Sequence, residues 1–289
     1  MISFFNLVEY ARVAACSFKE VIVEHVVISS PKTGEEWSED ATVVMVEDGR
    51  YTAAVIDTHH CGTSSRVEAH RAAQAAAKAF REGSTPYFNG DRLERAFACC
   101  DEFLLRVNPT FGAVATAIEV TDRTLRVAQL GDTRLYASAW GARGCEIVTP
   151  SHTAGDASEL ARMEEALCTG RFQVRVEVRD GVVTHRLYRK RRFFWETGGL
   201  VPTRALGDKR FRPALIAQPE MFEFDRDKID RRALYVLCSD GAVRAVEHMF
   251  GRIRGQAPMI EMVTVHDILE QALAYYHDDD ASVIALRLD

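Results

Sequence analysis

No apolar run in this 289-residue chain approaches the ~20 residues needed to cross a bilayer. The N-terminus, MISFFNLVEYARVAACSF, has neither a cationic start nor an unbroken apolar core, so a secretory signal is not expected. Cysteine offers no framework either. Seven residues, an odd number with no C-x-x-C spacing, describe neither a set of disulfides nor a structural zinc site, and read as reduced thiols of a cytoplasmic protein. Excess positive charge is missing too. A formal charge of −6 argues against a nucleic-acid partner, and no membrane partner is expected. Histidines are too few at strand ends for a histidine-based metallohydrolase: His25, His152, His185 and His248 form no ligand pattern. No repeat or linker divides the chain, which is read as one domain over 19–289. A short helical extension over 1–18 is expected before it, from the spacing of Phe4, Leu7, Val8 and Ala11.

What the chain does have is 47% hydrophobic residues, enough for a substantial core, and acids where buried strands begin or end. The stretch YTAAVIDTHHCG is an apolar strand ending in Asp57, Thr58, His59 and His60. A carboxylate at the end of a buried strand needs a proton, a cation or a hydrogen-bonding role. Capping the helix expected from Arg66 onward is the plainer reading of Asp57. Its neighbours argue for more. Asp48-Gly49 is a hairpin signal between ATVVMVE and YTAAVID, so Glu39-Asp40 at the start of one strand should lie beside Asp57 at the end of the other. Two acidic groups at one end of a hairpin repel each other unless a cation lies between them.

Further along, two helices are expected, one from Arg66 to Phe80 and one opened by the Asp91…Glu94 capping box. Strands FGAVATAIEV, TLRVAQL and RLYASA follow, with Asp132 in the Gly131-Asp132-Thr133-Arg134 connection. A helix over 157–167 precedes an irregular segment, turning at Asp180-Gly181, that contains the basic cluster Arg189, Lys190, Arg191 and Arg192. The strand ALYVLC ends in Ser239-Asp240-Gly241. A last helix over about 260–276 leads through Asp278-Asp279-Asp280 into the final strand, ASVIALRL. An all-oxygen set of this kind suits Mg²⁺ or Mn²⁺ better than zinc.

The ordered series E-D, D-x-H, G-D-x-R, R-A-L-G-D, S-D-G and D-D-A-S-V-I resembles the metal-dependent Ser/Thr protein phosphatases of type 2C, from about residue 20 to the C-terminus. The resemblance implies an α+β fold: a four-layer α-β-β-α sandwich of two antiparallel sheets flanked by helices, with a binuclear metal site at one end. It implies two Mn²⁺ or Mg²⁺ ions and a third, weaker one. Asp57 would bridge the two, the Thr58 carbonyl would bind one of them, and Asp240 and Asp279 would complete the second site. Glu39 and Asp40 would hold metal-bound waters, and Asp132 would help Asp240 hold the third metal. His59 would be the general acid for a phosphorylated protein substrate, and the enzyme would act as a monomer.

Two departures from the family pattern stand out. Thr58 replaces a glycine, and a positive φ there would strain a β-branched residue. Glu35 stands where the family commonly has the arginine that grips the substrate phosphate. Lys32, or the cluster Arg189, Lys190, Arg191 and Arg192 in the variable flap at about 169–200, is the expected substitute. The alternative reading is a catalytically silent relative that serves as a metal-binding interaction module.

Overall fold

The computed structural model describes residues 16–18, 21–31, 37–60, 65–85, 91–107, 110–138, 146–179, 182–191, 194–195, 199–230, 233–254, 261–276 and 279–288. The chain opens with β1 (Cys16–Phe18), β2 (Val21–Ser30), β3 (Asp40–Glu47) and β4 (Arg50–His60), followed by α1 (Arg66–Gly83) and α2 (Arg92–Val107). Then come β5 (Phe111–Val120), β6 (Thr124–Leu130), β7 (Arg134–Ser138), β8 (Glu146–Ile147) and α3 (Ala157–Cys168). β9 (Phe172–Arg179), β10 (Val182–Arg191) and β11 (Phe194–Trp195) form a small sheet of their own. β12 (Leu206–Gly207), β13 (Glu220–Asp225), β14 (Leu234–Cys238), α4 (Val243–Ile253), α5 (Met262–Tyr275) and β15 (Ala281–Leu288) complete the order.

Two antiparallel sheets carry the fold. One runs β13-β6-β5-β4-β3, with β12 also paired to β5, and the other runs β1-β2-β15-β14-β7-β8. Alternation along the strands assigns each face. In β14, Leu234, Val236 and Cys238 pack with α4 and α5, while Tyr235 and Leu237 join Val55, Ile118 and Ile284 between the sheets. In β4, Ala54 and Ile56 face α1 and α2, while Ala53 and Val55 face the other sheet. The layers are therefore helix, sheet, sheet and helix, as the resemblance implied. Each fully buried Leu, Ile or Val in them contributes about 1.5–3 kcal/mol.

Local chemistry explains the elements that set the site. Asp48 (φ 51°) and Gly49 (φ 70°) both take left-handed angles, the requirement of a two-residue type I′ turn. That turn makes β3 and β4 antiparallel neighbours and fixes their register. Alanines 69, 72, 73 and 76 and Phe80 bury the inner face of α1. Its N-terminus is capped by Ser65 in a reciprocal box with Glu68, so capping is not the task of Asp57. The expected N-terminal helix falls outside the described residues except at Cys16–Phe18, which correct its boundary: they are strand β1, paired along the edge of β2. Cys, Ser and Phe are weak helix formers, and the edge of a sheet offers their backbone a ready partner.

Candidate active site

The β3–β4 register sets Asp40 directly opposite Asp57. On the other sheet, β14 and β15 pair Cys238 with Val283, and Ser239 N–H donates to the Ser282 carbonyl at 3.0 Å. The residues just beyond, Asp240 and Asp279-Asp280, are thereby neighbours. Gly241 is needed for that approach, because a Cβ there would fall on the Asp280 carbonyl. Asp132 follows Gly131, whose φ of 92° and contact with Val114 leave no room for a side chain. Loops from both sheets thus converge on one end of the sandwich.

Electrostatics record the crowding. Burial raises the Asp57 pKa well above the carboxylate range, and the charges of Asp40, Asp240, Asp132 and Asp279 raise it further. Asp40 is pushed up to about 8, first by burial and then by Asp280 and Asp240, against the moderating hydroxyls of Ser239 and Ser282. Neither hydroxyl hydrogen-bonds to Asp40, whose two carboxylate oxygens are both buried without a partner. Burial also raises Asp132. Asp240 is raised to about 7 by the protein crowded around it and by Asp132 and Asp279. Its side chain still opens to solvent at the mouth of the cluster, so repulsion is the firmer of these causes.

Oxygen donors, mutual repulsion and two orphaned buried oxygens fit hard divalent cations. Among the described residues, no three His, Cys, Asp or Glu side chains are drawn together tightly enough to enclose an ion as they stand.

Thr58 resolves one departure. It sits in β4 opposite Ala113, and among the described residues only Asp48 and Asp208 combine a side chain with positive φ. The β-branched residue is therefore unstrained. Its N–H (3.1 Å) and Oγ1 (2.6 Å) both donate to the Glu39 carbonyl. The Glu39 N–H is committed to Asp280 at 2.8 Å, and Asp280 also accepts at 2.6 Å from Arg66. Arg66 in turn reaches the Glu39 carboxylate at 3.4 Å.

His59 has a partner that sequence reasoning missed. Its Nε2 lies 2.6 Å from Oδ2 of Asp208, whose side chain is 1% exposed. Burial alone would lower the His59 pKa, but the charge and hydrogen bond of Asp208, helped by Asp132 and Glu39, raise it. Asp208 arrives because β12 pairs with β5 at Gly112 and Ala113, beyond the point where β6 ends. Asp101 on α2 holds that turn by accepting from Gly207 N–H and from Arg212, both at 2.7 Å. Gly112 leaves the space, since a Cβ there would meet both the Asp208 carboxylate and His59 Nε2. The signal in the sequence was the acid closing R-A-L-G-D, quoted above without a role.

The expected phosphate-binding cations fare differently. Lys32, Glu35 and Arg192 lie outside the described residues, as do the side chains of His60 and Arg191. Arg189 donates to the Arg210 carbonyl at 3.3 Å, and Lys190 is exposed. Arg186, which sequence reasoning passed over, is a flap cation whose charge, with those of His59 and Arg134, opposes the rise that burial causes in the Asp132 pKa.

The sequence profile of protein phosphatase 2C matches residues 49–248. The chain belongs to the protein phosphatase 2C family. No curated protein matches it by sequence. Among solved structures, a Caenorhabditis elegans sex determining protein is similar at 19% identity and a TM-score of 0.63, covering 92% of this chain. This chain spans only 64% of that one. Serine-threonine phosphatase 2C from Toxoplasma gondii is 14% identical with a TM-score of 0.63, over 97% of this chain and 98% of that one. The catalytic domain of the serine threonine protein phosphatase PstP, in complex with 2 manganese ions, is 17% identical with a TM-score of 0.58, over 93% and 99%. These likenesses establish the protein phosphatase 2C fold, over a larger share of the chain than the profile matches.

Proposed function

We propose that this protein is a Mg²⁺- or Mn²⁺-dependent phosphatase that hydrolyses phosphoserine and phosphothreonine in proteins. The observation that carries the reading is the convergence of Asp40, Asp57, Asp132, Asp240 and Asp279 on one end of the sandwich, beside a His59–Asp208 pair. Asp57, the Thr58 carbonyl, Asp240 and Asp279 would hold two cations, with Glu39 and Asp40 acting through water and Asp132 assisting at a third site. When bound, such ions supply a hydroxide nucleophile near neutral pH and neutralise phosphate oxygens. The protein's own task is then positional. Asp208 accepts from His59 Nε2 and holds the ring at the edge of the cluster. His59, whose raised pKa favours the protonated form, donates a proton to the departing Ser or Thr oxygen.

Substrate gripping is assigned to the flap, with Arg189, Lys190, Arg191 and Arg192 joined by Arg186. The protein is proposed to act as a monomer in the cytoplasm. Among the described residues, no helix is long and apolar enough to cross a membrane. The silent-relative reading is favoured by one observation, the reversed charge at Glu35.

The deciding experiment measures hydrolysis of p-nitrophenyl phosphate and a phosphothreonine peptide with Mn²⁺, Mg²⁺ or chelator, beside Asp57→Ala and Asp240→Ala. Metal-dependent turnover lost in both variants is expected. Calorimetric Mn²⁺ binding without turnover would establish the silent module instead.

A further inference from the structure

The β9–β10 hairpin has the opposite charge to the rest of the chain. Residues 171–192 hold eight Arg and Lys against two acids in a protein of net charge −6. Its register decides which groups face outward. Lys190 N–H donates to the Arg171 carbonyl at 2.8 Å, while Leu187 turns both backbone groups away from β9 to Leu200, at 2.7 and 3.0 Å. Bonded and non-bonded pairs alternate in an antiparallel ladder, so Val174–Leu187, Val176–His185 and Val178–Val183 are non-bonded pairs. The N–H and C=O groups of Val174, Val176 and Val178 therefore point to the outer side of β9. No strand neighbours that side among the described residues.

The side chains suit the same use. Val176 is 60% exposed and Val178 65%, with Val183 alongside at 58%. At the root of the hairpin, Val174 packs on the same core cluster as Leu160 and Leu167 of α3. Those two also line an open groove of about 580 Å³ together with Ala161, Glu164 and Cys168. The opposite face of the hairpin presents Arg171, Arg175 and Lys190 to solvent. Its acid, Glu177, is engaged by Tyr188 and Arg186.

A flat apolar edge is a template for another strand, and strand addition is a recurring mode of peptide recognition. We propose that β9 takes up an extended acidic segment of a phosphoprotein substrate as an added strand, bonded to the backbone of Val174, Val176 and Val178. Apolar residues of that segment cover the exposed valines and its acids meet Arg171 and Arg175. The inference rests on the phosphatase reading for what is bound. Arg186, on the neighbouring strand and within electrostatic reach of Asp132, leads the bound segment toward the carboxylate cluster.

The test is Val176→Pro, because proline is tolerated on an edge strand whose N–H faces outward yet removes a donor from that edge. The probe is a fluorescent phosphothreonine peptide of alternating Asp and Val, and a copy N-methylated at every second amide. Binding is read by anisotropy in chelator, and turnover with Mn²⁺. The expected results are binding about tenfold weaker in the variant, from loss of one or two main-chain hydrogen bonds, and unchanged turnover of p-nitrophenyl phosphate. On the wild type, N-methylation should weaken the peptide to the same degree, which tests the edge even if Val176→Pro fails to fold. Equal affinity for both peptides would overturn the proposal. So would a wild-type dimer that Val176→Pro dissolves without changing peptide affinity, since a second copy would then be the occupant. Edge-dependent binding without turnover of p-nitrophenyl phosphate would remove the phosphatase reading alone.

Discussion

His59 and Asp208, 149 residues apart in sequence, are joined by a 2.6 Å hydrogen bond at the edge of the carboxylate cluster. Two β-pairings of one strand produce it: β4 brings His59 opposite Gly112 of β5, and β12 brings Gly207 opposite the same residue.

Asp208→Asn should separate leaving groups. Proton donation matters for a Ser or Thr oxygen and hardly at all for p-nitrophenolate, so kcat on a phosphothreonine peptide should fall by about 10- to 100-fold. Turnover of p-nitrophenyl phosphate should change less than about threefold by the same argument. Gly112→Ala should reproduce the split, because its Cβ displaces both partners. Equal loss on both substrates, measured by steady-state kinetics, would reduce Asp208 to a structural residue.

Metal-free stability should fall as pH rises. Folded Asp40 keeps its proton up to about pH 8, whereas in the unfolded chain it ionises near its ordinary value of 3.8. The folded state therefore binds more protons across that window, and stability is lost as pH climbs through it. In chelator, Tm should drop by roughly 5 °C between pH 5 and 8. Asp40→Asn should make this slope shallower, leaving the part due to Asp57, Asp132 and Asp240, and saturating Mn²⁺, which replaces the proton as the neutralising group, should reduce it further. An unaltered slope in Asp40→Asn would place its origin elsewhere.

Glu159 defines the opposite limb. This buried carboxylate accepts from Arg204 (2.7 and 2.8 Å), Arg162 (2.8 and 3.0 Å) and Thr203 (2.7 Å). Burial would raise its pKa, but these donors outweigh it and hold the group down at about 2. Its contribution is present above its ordinary value of 4.5 and disappears as pH falls from there toward 2. Glu159→Gln should cost about 3–5 kcal/mol in urea unfolding, because two arginines lose their counter-charge. A loss below about 1 kcal/mol would mean that solvent already screens the cluster.

Thr58→Gly, which restores the family's usual residue, should weaken the fold without helping the site. The glycine loses the 2.6 Å bond to the Glu39 carbonyl and adds backbone freedom in a strand, a cost of about 1 kcal/mol. Calorimetry should find Mn²⁺ affinity within about twofold of wild type, since a carbonyl ligand needs no particular side chain. A large gain in affinity would show that Thr58 hinders the site.

Much of the architecture was legible because it rests on short-range rules. The Asp48-Gly49 turn, the alanine face of α1 and the continuous apolar runs of β4 and β14 follow from left-handed turn angles, from a period of 3.6 and from burial on both faces of a sheet. Acids at strand ends followed too, and with them the family. The boundary of β1 did not, because three residues carry too little pattern to outweigh the edge they meet.

The sequence by itself thus determined the hairpin that sets Asp40 against Asp57 and the acids at strand ends, and through its family resemblance it implied the layers. Only the tertiary structure decided that Asp208 holds His59, that Arg66 bridges Asp280 and Glu39, that the charge of Arg186 reaches Asp132, and that Thr58 lies in unstrained extended backbone. The physical reason is the range of the interactions. Periodicity acts over one turn or one pleat. The choice of partner between side chains 149 or 214 residues apart depends on sheet register and on single backbone angles, such as the φ of 44° at Asp208, that no local pattern encodes.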